Sequence, residues 1–194
     1  MIVIGVPVDK DFTIDVRTAA YCSAEASHPD VRWGYASSRD AGVGRSTFAY
    51  HALKDPTVTH LYFMDYDVVP PKGTLQKLLG YDLPIVAGIY PMQTNQQVWS
   101  FKCGSEWYPR HRKILTDRLC EVNCLAGSTL LVKREVLEKL PNPPFKIKYK
   151  EVTDEGRCYD EGEDEYFSRI AREAGYKLMV DPTIICKHYN YGEI

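Results

Sequence analysis

Two aspartates stand two residues apart in the stretch "LYFMDYDVVPP": Asp65 and Asp67 follow the apolar run Leu61–Met64 and precede the double proline Pro70-Pro71. Carboxylates at alternate positions just past a strand can hold a divalent cation, Mn2+ or Mg2+, whose charge would bind a diphosphate. An Asx-type turn would use the same residues with no ligand at all. A second acidic group, Glu163-Asp164-Glu165 in "GEDE", opens a periodic segment. A carboxylate held at a helix start is oriented to take a proton from a hydroxyl, although acids also stabilise a first helical turn through the dipole alone. His188 is the third candidate, as an imidazole ligand or as an ordinary strand-end histidine.

These groups need elements to hold them. Ile2–Val6 reads as a buried strand, Thr13–Ala24 as a helix, Val31–Ala36 as a second strand, and the turn-rich "SSRDAGVG" leads into a short helix from about Arg45 to Leu53. Leu61–Met64 is the third strand, Thr74–Leu79 a helix closed by Gly80, and "PIVAGIY" a fourth strand. Strands alternating with helices predict an α/β fold with a mostly parallel sheet covered on both faces. The ligand crevice of such a sheet lies beyond the carboxyl ends of its strands, where Asp65 and Asp67 fall.

The second half is less regular. Residues 92–124 carry Trp99, Phe101, Trp107 and Tyr108 among short strand-like pieces, and Ser128–Lys133 reads as a strand running into the helix "REVLEKL", stopped by Pro141. Residues 141–162 read as a long loop or weak ribbon, expected to order when a ligand binds. An amphipathic helix over Glu163–Ala174 turns Phe167, Ile170, Ala171 and Ala174 inward and ends at Gly175. "YKLMV" and "TIICKH" are expected as two strands around an Asp181-Pro182 turn.

At 194 residues the chain suits one domain, 1–194, able to bury a real core. A formal charge of -2 with dispersed Lys and Arg offers no footprint for nucleic acid or an anionic membrane. The start "MIVIGVPVDK" is unlike a signal peptide, and no run approaches the roughly 20 apolar residues of a membrane span, so a soluble, cytoplasmic protein is expected. The six cysteines form no CxxC pair and are expected to be reduced and mostly buried.

In their order along the chain, "FMDYDVVPP", "VAGIYP", "CLAGSTLLVKREVLEKL" and "GEDEYFSRIAREAGYKLMVDPTIICKH" resemble the GT-A-fold glycosyltransferases, family 2-like enzymes in particular. That resemblance implies a single Rossmann-like GT-A domain. The implied reaction moves a sugar from a nucleoside diphosphate donor, uridine being the family's usual base, to the hydroxyl of a glycan, lipid-linked or protein acceptor. By the same resemblance Asp65 would lie near the ribose, Asp67 and His188 would ligate the metal, and Asp164 would be the catalytic base, with Glu163 as the alternative.

Chemistry alone gives the same roles a reason. Breaking a sugar–diphosphate bond leaves new negative charge for a cation to neutralise, and an imidazole ligand favours Mn2+. Attack assisted by a dedicated base would invert the anomeric carbon. The resemblance implies that Pro7, Val8 and Asp9, after the first strand, receive the nucleotide base, although a plain loop would read the same way, and Asp40 and Arg45 are further candidates for contact with it or ordinary surface residues. Trp99, Trp107, Tyr108, Tyr189 and Tyr191 would stack on sugar rings or pack in the core, and Arg110–Lys113 would hold an acceptor phosphate or form a solvated face. Two other readings use the same scaffold. Nucleotidyl transfer would need a glycine-rich, lysine-bearing loop that "GVPVDKDF" lacks, and a non-catalytic sugar- or nucleotide-binding module would leave the acidic pair without a purpose.

Overall fold

The computed structural model describes residues 1–8, 13–92, 97–112, 118–152 and 158–189. The first half alternates strand and helix as expected: β1 (Ile2–Val8), α1 (Val16–Glu25), β2 (Val31–Ser37), α2 (Ala41–Lys54), β3 (His60–Phe63), β4 (Val68–Val69), α3 (Thr74–Gly80) and β5 (Ile85–Ile89). Shorter strands follow, β6 (Val98–Cys103), β7 (Glu106–Pro109), β8 (Cys120–Val122), β9 (Cys124–Leu125) and β10 (Leu130–Lys133). The chain continues with α4 (Arg134–Lys139), the hairpin strands β11 (Lys148–Val152) and β12 (Cys158–Glu161), then α5 (Glu163–Glu173), β13 (Leu178–Ile185) and β14 (Lys187–His188).

The central sheet has seven strands in the order β2-β1-β3-β10-β5-β13-β8. Strands β1, β2, β3, β5 and β13 run one way, and β10 and β8 run against them. The parallel direction dominates, yet β10 enters antiparallel between β3 and β5, because the chain returns through it from the small β7-β6-β9 sheet. β3 explains why "LYFM" is apolar throughout. Leu61 and Phe63 belong to the core on one face of the sheet, Tyr62 and Met64 to the core on the other, and all four are essentially buried.

Three expectations need correction. The Asp181-Pro182 pair does not turn the chain; Leu178–Ile185 is one strand with an irregularity against β5 between Val180 and Ile185, which accommodates the proline without ending the strand. Helix α2 starts well before Arg45, at Asp40, whose carboxylate accepts the Val43 N–H at 2.9 Å, so Arg45 sits in its second turn. The residues of "AGVG" are helical, not a turn, and glycine stands at two of these helical positions because neighbours leave no room for a side chain: a Cβ on Gly42 would lie 2.8 Å from the Glu163 Cβ, and one on Gly44 2.8 Å from the Pro7 Cβ. The described cysteines are free thiols as expected, with Cys22, Cys124 and Cys186 buried, Cys120 half-buried and Cys103 exposed.

The helix α5 is as its periodicity predicts, with Tyr166, Phe167, Ile170 and Ala171 buried and Gly175 left-handed just beyond it (φ 91°). The segment before β11 contributes more than a loop. Phe145 is 1% exposed, stacks on Phe167 with centroids 4.5 Å apart and meets Phe63 edge-on at 5.1 Å. It therefore ties residues 141–147 to both β3 and α5, the two elements that carry the acids. Phe145→Ala is expected to cost about 3–5 kcal/mol of stability, read as a lower urea midpoint at an unchanged slope. The expected ordering of residues 141–162 falls in part on 153–157, outside the described residues. No helix of the described residues is long and apolar enough to cross a membrane.

Candidate active site

The nine described residues expected at the nucleotide, metal and base positions line one cleft of about 390 Å³ at the carboxyl ends of the parallel strands: Pro7, Val8, Asp40, Arg45, Asp65, Asp67, Glu163, Asp164 and His188. Asp9 lies outside the described residues. Pro7 and Val8 end β1, Asp65 and Asp67 follow β3, and Glu163 and Asp164 open α5. His188 arrives last in the chain: β14 pairs antiparallel with β4, setting His188 opposite Val68, and the Tyr189 N–H bonds to the Asp67 carbonyl at 2.9 Å.

The cleft divides into two charged groups. In the first, His188 Nε2 lies 3.3 Å from Asp67 Oδ2, while its Nδ1 meets the Pro91 carbonyl at 2.7 Å and its ring lies edge-on to Tyr90. A backbone carbonyl at Nδ1 fixes the ring so that Nε2 faces the cleft. Burial works against charge on this imidazole, but Asp67 and the Pro91 carbonyl outweigh it and raise its pKa above the ordinary value. Among the described residues no group of three or more His, Cys, Asp or Glu is arranged to hold a metal. One carboxylate and one imidazole do suit Mn2+ or Mg2+ if a bound diphosphate and water complete the shell, the usual manner in which Mg2+ is held at phosphate sites.

The second group centres on Arg45, 2% exposed. Its Nη2 donates to Asp65 Oδ1 at 2.5 Å, and its Nη1 donates to Glu163 Oε1 at 3.0 Å and lies 3.5 Å from Asp164 Oδ1. One guanidinium thus faces three carboxylates. Burial opposes its charge, yet Asp65, Asp164 and Glu163 together hold it protonated well beyond its ordinary range. Room for the guanidinium comes from Gly127, where a Cβ would stand 2.2 Å from the Arg45 Cζ. Arg45, a candidate for contact with the nucleotide, has hydrogen bonds that join Asp65 after β3 to Glu163 of α5.

The carboxylates differ in consequence. Asp65 has one oxygen on Arg45 and the other 3.4 Å from the Tyr90 hydroxyl, so in this arrangement its oxygens are turned to protein partners; burial raises its pKa despite Arg45. Glu163 is hydrogen-bonded to Arg45. Asp164 Oδ1 is buried and has no hydrogen-bond partner among the described residues. Burial, opposed by Arg45 and reinforced by Glu163 and Asp65, pushes its pKa up to about 7. Asp40 lines the cleft, but its carboxylate is already committed as the cap of α2.

Sequence reasoning missed the supports. Tyr90 touches both groups, Ser128 Oγ accepts the Asp65 N–H at 2.8 Å, and Gly127 admits Arg45. The small-residue run "AGS" before β10 was the visible signal of a close approach. Among the described aromatics, Trp99 and Tyr108 pack on one core, Trp107 on the other, and Tyr189 takes the Arg17 guanidinium 3.4 Å above its ring. Tyr191 and Lys113 lie outside the described residues, while Arg110 sits over Trp99.

A mixed sheet with helices on both faces and an acid-lined crevice at its carboxyl edge is an α/β fold of the GT-A type. Two solved structures share it. A197 from STIV aligns with 97% of this chain and 85% of its own at a TM-score of 0.70 and 22% identity. GalNAc-T7, solved with UDP, GalNAc and Mn2+, aligns with 99% of this chain at a TM-score of 0.55 and 12% identity, and the match spans 44% of the GalNAc-T7 chain. At these identities the likeness is one of fold. No protein-family model and no curated protein matches the sequence.

Proposed function

We propose that this protein is a metal-dependent glycosyltransferase that moves a sugar from a nucleoside diphosphate sugar, with UDP as the expected carrier, to an acceptor hydroxyl with inversion. The observation that carries this reading is the meeting, in one cleft, of the Asp67–His188 pair with a half-buried acid, Asp164, whose Oδ1 is buried with no hydrogen-bond partner among the described residues. The GT-A type of fold and a structural neighbour containing UDP, GalNAc and Mn2+ support the donor class.

Asp67 and His188 would hold the cation, which would neutralise the charge that develops on the leaving diphosphate. Pro7 and Val8 would border the nucleoside at the end of β1. Asp164, deprotonated, would accept the proton of the acceptor hydroxyl as that oxygen bonds to the anomeric carbon. The bond from carbon to diphosphate oxygen breaks in the same step, so the proton stays on Asp164 and the nucleoside diphosphate departs. Arg45 would keep the acidic pair and Asp65 in place as Asp164 gains that proton. The direct test is a panel of nucleotide sugars with Mn2+ or Mg2+, scored by thermal stabilisation and by donor hydrolysis; stabilisation without turnover of any donor would favour a non-catalytic binding module.

The metal pair makes a graded prediction. Asp67→Asn should remove most Mn2+-dependent nucleotide binding, because a hard cation loses its anionic ligand, and His188→Ala should weaken it less, the imidazole being neutral. The wild-type affinity should fall as pH drops through the raised His188 pKa, since a proton on Nε2 competes with the metal. Calorimetry across pH would check both. Full affinity in His188→Ala, with the same pH dependence, would make His188 purely structural.

A further inference from the structure

Helix α5 opens on three acids, Glu163, Asp164 and Glu165, yet Gly162 caps it without any side-chain bond. Like charges crowded into one turn repel, and nothing in the turn itself decides where each carboxylate points. Arg45 draws Glu163 and Asp164 from the cleft side. Two further cations, Lys102 and Arg169, line a cavity of about 310 Å³ that shares no described residue with the cleft. Lys102 of β6, half-buried, bonds to Glu165, and its ammonium lies 4.9 Å from the centre of the Trp107 ring. Arg169, inside α5, forks onto the buried Glu161 just before Gly162: its Nε donates to Oε1 at 2.7 Å and its Nη2 to Oε2 at 3.0 Å. The Cys124 Sγ, which lines the same cavity, lies 3.8 Å from the Asp164 carbonyl.

These ion pairs hold the residues on either side of Asp164, Glu161 before it and Glu165 after it, from outside the cleft. The Asp164 carboxylate depends on them, because its Oδ1 has no hydrogen-bond partner among the described residues and lies 3.5 Å from the Arg45 Nη1. A side chain with so little to hold it takes its direction from the backbone that carries it. Misplacing a reacting group by about 1 Å costs on the order of a hundredfold in rate.

We propose that Lys102 and Arg169 are positioning residues for Asp164, which pin the first turn of α5 from outside the cleft and so set where its carboxylate stands. The assignment rests on the glycosyl-transfer reading above. Lys102→Met and Arg169→Met are compared with the conservative Lys102→Arg and with Lys177→Met, which removes an exposed ion pair elsewhere, all at a temperature where each is folded. In both methionine variants kcat for transfer should fall roughly ten- to a hundredfold, with the donor KM within about twofold of the wild type. Lys102→Arg should regain most of that loss, and Lys177→Met should match the wild type. The second measurement needs no substrate. Followed by carboxyl-carbon NMR and assigned by its loss in Asp164→Asn, the Asp164 carboxyl should titrate below the wild-type value of about 7 in both methionine variants. Removing a cation acts through space in the opposite direction, raising the midpoint. Arg45, Glu163 and Asp65, which face this carboxyl, are unchanged in these variants, so a fall reports a carboxyl that has moved toward water. A midpoint that stays or rises overturns the assignment of that residue, and so does an unaltered kcat beside a lowered midpoint. Lowered midpoints in a protein that binds no nucleotide sugar uphold the bracing of α5 and remove the transfer reading instead.

Discussion

Asp164→Asn is expected to lower sugar transfer by roughly two to four orders of magnitude, the usual worth of a positioned base, while donor affinity stays near the wild-type value. The fold should survive, because Asp164 is not the cap of α5; Gly162 occupies that position without any side-chain bond. The pH dependence gives a second signature. With its pKa pushed up to about 7 from the ordinary 3.8, Asp164 keeps in the folded state a proton that the unfolded state has released. Stability contributed by this group therefore falls as pH rises from about 4 to about 7. Asparagine carries no such cost, so the variant should show a flatter stability profile and no loss of melting temperature at pH 8. Transfer by the wild type should rise with pH through about 7, as the base loses its proton. Glu163→Gln should be the milder change, and the reverse order would move the role to Glu163. Near-wild-type transfer in both single variants and the double variant, with a verified acceptor, would reduce the pair to a helix start.

Arg45→Met is expected to be the most damaging change to stability in the cleft, about 3–5 kcal/mol, because it leaves Asp65, Glu163 and Asp164 facing one another with their cation gone. Removing one partner of a buried ionic group costs more than the group itself contributes, since the remaining charges stay desolvated. The sign of the pH dependence follows: protonating the carboxylates relieves their repulsion, so the deficit against wild type should shrink from pH 8 to pH 5. Urea unfolding at the two pH values would measure it. Arg45→Lys should recover only part of the loss, since a single ammonium cannot reproduce the forked contacts of the guanidinium. Equal stability of wild type and Arg45→Met at pH 8 would show that the carboxylates are already neutral or solvated, and would remove the basis for a buried base.

Much of the frame was legible along the chain because its signals are local. Alternating apolar runs and helical periods placed β1, β3, β5 and α5 within a few residues, and the acids of the "DYD" and "GEDE" stretches were visible as charges at element ends. Where the reading failed, a distant partner had decided. Asp181-Pro182 looks like a turn in isolation, but pairing with β5 before it at Val180 and after it at Ile185 carries the strand through. Nothing local says that β10 would enter antiparallel between β3 and β5. The residues of "AGVG" look like loop formers until Glu163 and Pro7 are packed against them.

The same division runs through the site. The sequence alone determined which residues could do chemistry, since residue type and position after a strand or before a helix are one-dimensional facts. Their partnerships were decided by the tertiary structure. Arg45 meets Asp65 from 20 residues away and Glu163 from 118 residues away, and His188 reaches Asp67 only because β14 returns to pair with β4. The raised pKa of Asp164 belongs to that assembly too. An aspartate in water titrates like any other, and only burial, with Glu163 and Asp65 close by and outweighing the one guanidinium that opposes them, makes it hold its proton to about pH 7.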